Sequence, residues 1–306
     1  MEKRFSGVVM RATGSWYDVM HGGETVRCRI RGRLRLRGTR STNPVVVGDE
    51  VVCEADEGGD YVICDICPRR NYVIRRASNL SKESHIIAAN IDQALLMVTL
   101  RAPETATEFV DRFLVTCEAY KVPATIVLSK IDLQDPGAVA DFRAVYEGAG
   151  YRVLEVSAPE GIGIEAVNEL LADRRTLLSG NSGVGKSTLI RAIDPSLDIR
   201  TGEISESHHK GRHTTTFSTM YPLAGGGEVI DTPGIKGFGL IDIDDAELWH
   251  YFPEMMRVAP DCRFYNCTHT HEPGCAVAEA VKAGEIAWAR YESYLKILDE
   301  DDKYRK

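Results

Sequence analysis

The stretch Gly180-Asn181-Ser182-Gly183-Val184-Gly185-Lys186-Ser187-Thr188 constrains this chain more than any other. It fits the pattern G-x-x-x-x-G-K-[ST]. Glycines let backbone N–H groups curl around phosphates, a lysine neutralises their outer oxygens and a hydroxyl holds Mg²⁺. Arg175 to Ser179 reads as a buried strand before it, and Thr188 to Ile193 opens a helix after it, with the positive end of its dipole toward the phosphates. Strand, loop and helix in that order predict an α/β core with a doubly wound sheet.

The partners of this loop stand in an unusual order. Downstream, Glu228-Val229-Ile230 leads as a strand into Asp231-Thr232-Pro233-Gly234, a D-x-x-G turn in which Asp231 contacts Mg²⁺ through water and the Gly234 N–H meets the γ-phosphate. Between them, Gly211-Arg212-His213-Thr214-Thr215-Thr216 is polar and aperiodic, as a switch segment ordered by γ-phosphate and Mg²⁺ would be. Thr214 or Thr215 supplies a Mg²⁺ ligand beside Ser187, position favouring Thr215. Upstream, the apolar strand Ala124 to Leu128 runs into Ser129-Lys130-Ile131-Asp132, and Tyr151 to Val156 runs into Ser157-Ala158. Asp132 accepts from guanine N1–H and its exocyclic amine, and the Lys130 stem covers the base. Ser129 stands where an asparagine is usual. Base turn, Ser-Ala turn, phosphate loop, switch threonines and D-x-x-G therefore follow one another in circularly permuted order, with Glu165 to Asp173 as the helix before the joining segment. Permutation is tolerated where chain ends lie at the surface.

Past Asp231 the chain enters a second constellation, Cys262, Cys267, His269 and Cys275. Three thiolates and an imidazole in a short loop-rich stretch suit one tetrahedral structural zinc. His271 competes with His269, and the spacing favours His269. Glu285 to Asp299 reads as an amphipathic helix with Trp288, Tyr291, Leu295 and Leu298 on its core face. Cys64 and Cys67 lack a second pair, and Cys28, Cys53 and Cys117 read as small core hydrophobes. A zinc-type cluster in place of a disulfide framework, with no leader-like segment, predicts a cytoplasmic protein. The longest apolar run, Ala94 to Leu100, is too short to cross a bilayer.

The N-terminal part differs in charge. Residues 1–76 carry 14 Lys/Arg against 10 Asp/Glu, whereas the whole chain has a net charge of −8. Arg27, Arg29, Arg31, Arg33, Arg35 and Arg37 alternate with apolar or small residues, so an extended strand puts all six on one face. Short Gly-punctuated runs at Phe5 to Met10, Trp16 to Met20, Val45 to Cys53 and Tyr61 to Ile66 predict a small antiparallel barrel of the oligonucleotide-binding (OB) class. Its arginine face is expected to bind RNA phosphates. Arg69, Arg70, Arg75 and Arg76 are expected to extend the basic character into the linker.

These motifs together resemble the ribosome small-subunit-dependent GTPase A family, RsgA, also called YjeQ, over essentially the whole chain. The resemblance implies an OB barrel at 1–72, a permuted GTPase domain at 73–240 and a mostly helical zinc domain at 241–306. It implies a monomeric GTP hydrolase that uses Mg²⁺ and binds the small ribosomal subunit and its 16S rRNA near the decoding region late in assembly, leaving after hydrolysis, with no membrane partner. Gly180, Asn181, Ser182, Gly183, Val184, Gly185, Lys186, Ser187 and Thr188, with the two base turns, would hold GTP or GDP. Ile235 follows D-x-x-G where many GTPases place a water-orienting glutamine, and an isoleucine cannot hydrogen-bond water. Intrinsic hydrolysis is thus expected to be slow, with His213, which the resemblance places in the mobile switch, as the candidate to orient water and Lys186, Thr215 and Gly234 completing the catalytic set. A GTP-gated RNA-binding signalling or tRNA-related switch protein with little turnover is the alternative.

Overall fold

The computed structural model describes residues 3–13, 15–30, 44–56, 58–76, 84–197, 218–231 and 244–304. Thus Arg31, Arg33, Arg35, Arg37, His213, Thr214, Thr215, Gly234 and Ile235 lie outside the described residues.

Five strands, β1 (Arg4–Ala12), β2 (Tyr17–His21), β3 (Glu24–Ile30), β4 (Glu50–Ala55) and β5 (Tyr61–Ile66), pair in the order β1-β2-β3-β5-β4, and β4 returns to β1. The sheet therefore closes on itself as a small OB-type barrel. Alternation fills its interior with Val9, Val19, Cys28, Val51, Cys53 and Ile63, all 0% exposed. The expected strand from Val45 begins only at Glu50. Gly48 has a left-handed φ of +88°, and a Cβ there would stand 2.1 Å from the Ala89 carbonyl oxygen, so residues 45–49 turn to meet the next unit.

That junction is polar and tightly satisfied. Arg69 donates to both oxygens of the fully buried Asp49, at 2.6 and 2.7 Å, and Asn90 Nδ2 donates to the Gly48 carbonyl. Arg70 pairs with Asp92 at 2.8 Å, and Arg175 reaches both Gly48 and Glu228. Arg69 is thus occupied by a buried carboxylate, and Arg70, though still exposed, is paired with Asp92, which corrects their expected role as a freely basic linker. A two-stranded ribbon, β6 (Tyr72–Arg76) with β7 (Ser84–Ala89), runs beside this joint.

The central unit is a doubly wound sheet. Its elements are β8 (Gln93–Val98), α1 (Thr107–Ala119), β9 (Ala124–Ser129), α2 (Pro136–Ala149), β10 (Arg152–Val156), α3 (Ile164–Leu171), β11 (Arg175–Gly180), α4 (Lys186–Ile193), β12 (Thr219–Pro222) and β13 (Glu228–Asp231). Strand order is β10-β9-β8-β11-β13-β12, parallel except for the antiparallel strand β12. The continuous apolar runs of β8, β9 and β11 are those of strands covered on both faces. α2 starts where the Asp135 carboxylate accepts from Ala138 N with Pro136 in the first turn, and stops at Gly150. β1 of the barrel also touches β12 through the pair Arg11 and Thr219, so one ladder runs through both units.

Helices α5 (Pro253–Val258), α6 (Ala276–Ala283) and α7 (Trp288–Tyr304) form the C-terminal unit around Phe252, Met255, Val277, Ile286, Tyr294 and Ile297. Tyr291 faces this core as expected, but Trp288 is 61% exposed, because it opens the helix before the core-facing stripe begins.

Candidate functional site

In a parallel sheet the loops after the strands share one edge, and ligands bind there. β9 delivers Ser129 to Asp132, β10 delivers Ser157 and Ala158, β11 delivers the phosphate loop, and β13 ends on Asp231. Turns up to a hundred residues apart therefore meet at one edge.

The phosphate loop follows β11 through Gly180, whose φ is +148° and whose missing Cβ would lie 2.5 Å from the Met97 carbonyl oxygen. Gly185, at φ +110°, is the N-cap of α4, and no side chain caps that helix end. The free N–H groups of its first turn thus face the loop, as an anion site requires. Lys186 is 4% exposed and donates to the carbonyls of Gly180 at 2.7 Å and Asn181 at 3.1 Å, curling the loop around its ammonium. Burial pulls this ammonium below its ordinary range, against the attraction of Asp231. Burial also pushes the Asp231 carboxyl up to about 6, against the pull of Lys186. Asp231 Oδ1 is buried with no hydrogen-bond partner. A buried orphan carboxylate beside a buried lysine and an uncapped helix terminus fits a Mg²⁺–phosphate group.

In the base turn, Lys130 takes a left-handed φ of 55° and Asp132 is exposed in a single 3₁₀ turn. The Ser129 side chain is the surprise. Its Oγ would lie 3.1 Å from a Cβ on Gly185, so this hydroxyl buttresses the phosphate loop from below. Ser157 is 0% exposed with an orphan hydroxyl, in a turn closed by reciprocal bonds with Ile162.

Sequence reasoning missed a third wall. The segment between β8 and α1 crosses the pocket: Lys130 Nζ donates to the Ala102 carbonyl at 2.7 Å, and the Pro103 ring lies 3.7 Å from a Cβ position on Gly183. Thr99 and Thr105 tie the segment's two ends together. The available signal was the apolar run ending at Leu100, which puts residues 99–106 at the same edge.

The second constellation also assembles. One donor atom from each of Cys262, Cys267, His269 and Cys275 lies within 4.8 Å of the others. His269 Nδ1 stands 3.6 Å from Cys262 Sγ and 3.5 Å from Cys275 Sγ. Tetrahedral zinc bonds of ~2.3 Å to sulfur and ~2.0 Å to nitrogen put their ligand atoms about 3.5 Å apart, so the spacing fits zinc. Cys275 is the N-cap of α6, its sulfur accepting from Ala278 N, and Cys262 Sγ accepts from Ala276 N, both suited to thiolates. Burial pushes the Cys267 thiol up to about 12, so a cation is what would hold it ionised. Tyr291 and Tyr294 donate to the carbonyls of His269 and Thr268. His271 is instead engaged by Thr270, which removes it as the competing ligand.

No sequence signal marked Arg290. Its guanidinium, 1% exposed, donates to Asp111 of α1 at 2.5 Å and to Glu254 of α5 at 2.7 Å, enclosed by Tyr146, Tyr151 and Phe252. Burial opposes its charge, but the two carboxylates outweigh burial and hold it above its ordinary range. This cluster fastens the metal unit to the central unit.

On the barrel, Arg27 and Arg29 are exposed on one face with Cys28 turned inward, as alternation requires. The face carries acids as well, Asp18 opposite Arg27 in the ladder and Asp60 bonded to Arg29 at 2.9 Å. The arginine run is free of acids, but its neighbouring strands are not.

A nucleotide edge in permuted order, a barrel on one flank and a Cys₃His cluster on the other define a circularly permuted P-loop GTPase. Residues 66–241 match the model of the RsgA GTPase family and residues 6–63 that of the RsgA N-terminal domain. The chain belongs to the RsgA GTPase family. It is 52% identical over 305 residues to "Small ribosomal subunit biogenesis GTPase RsgA 2" of Bacteroides thetaiotaomicron, covering 98% of each chain. The solved structure of YjeQ from Thermotoga maritima shares 36% identity with a TM-score of 0.76, covering 97% of this chain and 98% of that one. That of YloQ, described as a circularly permuted GTPase, shares 27% identity with a TM-score of 0.71, covering 99% and 96%. Among the described residues, no helix is long and apolar enough to cross a membrane.

Proposed function

We propose that this chain is a cytoplasmic, monomeric GTPase of small ribosomal subunit biogenesis, which binds 16S rRNA near the decoding region and leaves after hydrolysing GTP. One observation carries the reading: the base turns, the phosphate loop and Asp231 converge at one sheet edge, between a barrel and a metal cluster. The name of the Bacteroides relative, matched over nearly the full length of both chains, supports the ribosomal assignment.

In this reading Asp132 selects guanine, with Ser129, Lys130, Ile131, Ser157 and Ala158 shaping the pocket. Gly180 to Thr188 cradle the phosphates, and Lys186 turns from its loop carbonyls toward them. Ser187, Thr215 and, through water, Asp231 hold Mg²⁺, which supplies positive charge against the phosphate oxygens. Gly234 meets the γ-phosphate, and His213 orients water in place of Ile235. Cys262, Cys267, His269 and Cys275 hold one structural zinc with no open position. Residues 1–72, 73–240 and 241–306 are the three working units.

The test is GTP turnover with and without purified small subunits. Stimulation is expected, about 10³- to 10⁵-fold if the subunit acts as strongly as an arginine finger. Unchanged turnover would instead favour a GTP-gated binding protein, the reading that Ile235 supports. Equal turnover of ATP would refute the guanine assignment.

A further inference from the structure

The described part of the arginine face has an aromatic centre. Trp16, half-buried just before β2, has the Arg27 guanidinium carbon 4.4 Å and that of Arg29 4.2 Å from its ring centroid. Thr13 fixes the turn that presents it, with both its N–H and its hydroxyl donating to the Trp16 carbonyl. Arg29 remains half-exposed, 52% by side chain, while bonded to Asp60. With Asp60 bonded to Arg29 and Asp18 opposite both Arg27 and the exposed Arg11 in the ladder, this patch sets two acids against three arginines. Much of its positive charge is thus already offset, which weakens it as a collector of phosphates, whose binding scales with unneutralised positive charge. An indole with two guanidinium groups over its ring is well suited to another task, since unpaired bases stack on aromatic and guanidinium surfaces alike, and every base offers a π-face.

We propose that Trp16, Arg27 and Arg29 form a stacking site for one unpaired base of single-stranded RNA. Asp18 and Asp60 offset part of the local positive charge, so the contact made at the indole is with the base rather than the backbone. This rests on the reading of the barrel as an RNA-binding surface, and it changes what part of that surface recognises.

The full-length protein is tested against a fluorescein-labelled ten-nucleotide oligoadenylate and a fully paired RNA duplex of the same length. Trp16→Ala is expected to weaken oligoadenylate binding about 5- to 160-fold, the range for losing one base stack, with the slope of log affinity against log salt unchanged. Trp16→Phe should restore most of the affinity, and the duplex should bind both variants and the parent equally. A second measurement does not depend on the folding of the alanine variant. In a Trp249→Phe, Trp288→Phe background, oligoadenylate should quench the remaining indole fluorescence. Undiminished affinity of Trp16→Ala, or no quenching, overturns the stacking site. The double variant Arg27→Glu, Arg29→Glu separates the two levels. If Trp16→Ala is silent but this variant loses RNA, the face binds by charge alone, and if both are silent the barrel reading itself falls.

Discussion

Replacing Arg290 with methionine should free the metal unit from the central unit, at a cost the geometry sets. Asp111, Glu254 and Arg290 are each no more than 2% exposed, and the substitution leaves two carboxylates among Tyr146, Tyr151 and Phe252 without their cation. Breaking a buried pair from one side costs about 3–5 kcal/mol, and stranding two carboxylates puts the expected loss toward the upper end. Such a loss favours the opened form by roughly 10²- to 10⁴-fold. Hydrogen exchange and limited proteolysis of residues 253–300 against urea would report it, because the cluster joins α1 to α5 and α7. Lys296→Ala removes an exposed ion pair to Glu108 on α1 and α7 and serves as control, with no measurable change expected. The loss should also depend on pH. Burial already pushes Asp111 up against the pull of Arg290, and removing Arg290 pushes it further. A carboxyl whose folded pKa lies above its unfolded value favours the fold below that unfolded value and loses this contribution as pH rises through the folded one. The defect should therefore grow as pH rises above the ordinary carboxylate range. A loss below about 1 kcal/mol at pH 8, the scale of an exposed pair, would refute the assignment of this cluster as the fastening.

Protein purified without chelator should contain one zinc per chain by elemental analysis. Cys267→Ala should lose the metal and loosen residues 253–300 while leaving the phosphate loop folded, since metal binding of this kind is coupled to local folding. Asp231, raised to about 6 by burial, predicts that the nucleotide-free protein loses stability as pH rises from its ordinary carboxylate range through 6, whereas Mg²⁺-dependent nucleotide affinity rises over the same interval. A pH-independent Mg²⁺ requirement between pH 5 and 7.5, measured by nucleotide titration, would contradict that placement.

How much was legible in the sequence depended on how far apart interacting residues lie along the chain. The phosphate loop, the base turn and the Cys₃His cluster each put their chemistry within a few contiguous residues, where backbone geometry and donor spacing decide the outcome. The positive φ of Gly180 and Gly185 is a local demand of the loop, although Met97 and Ser129 from other strands also crowd their Cβ positions, and Cys275 became a helix cap because of its own place in the chain. The permuted order was equally legible, because it is an order of such local units along a strand-and-helix pattern. The segment from Thr99 to Ala106 was invisible as a pocket wall, although its position after a strand hinted at the right edge.

Contacts between distant residues were settled only by the packed chain. Arg290 and Asp111 are 179 residues apart, and nothing local distinguishes that arginine from a solvated one on an amphipathic helix. Arg69 and Arg70 looked like free basic residues until folding put Asp49 and Asp92 beside them. The strand Arg27 to Ile30 had its arginines on one face by alternation alone, a period fixed by the backbone. How much of that charge is offset rests on Asp18, Asp60 and Arg11, which neighbouring strands and turns bring in through barrel closure. Alternation and loop geometry are properties of a backbone a few residues long, so the sequence carries them. Electrostatic surroundings are properties of whatever else the fold brings within a few ångströms, and tertiary structure alone determines them.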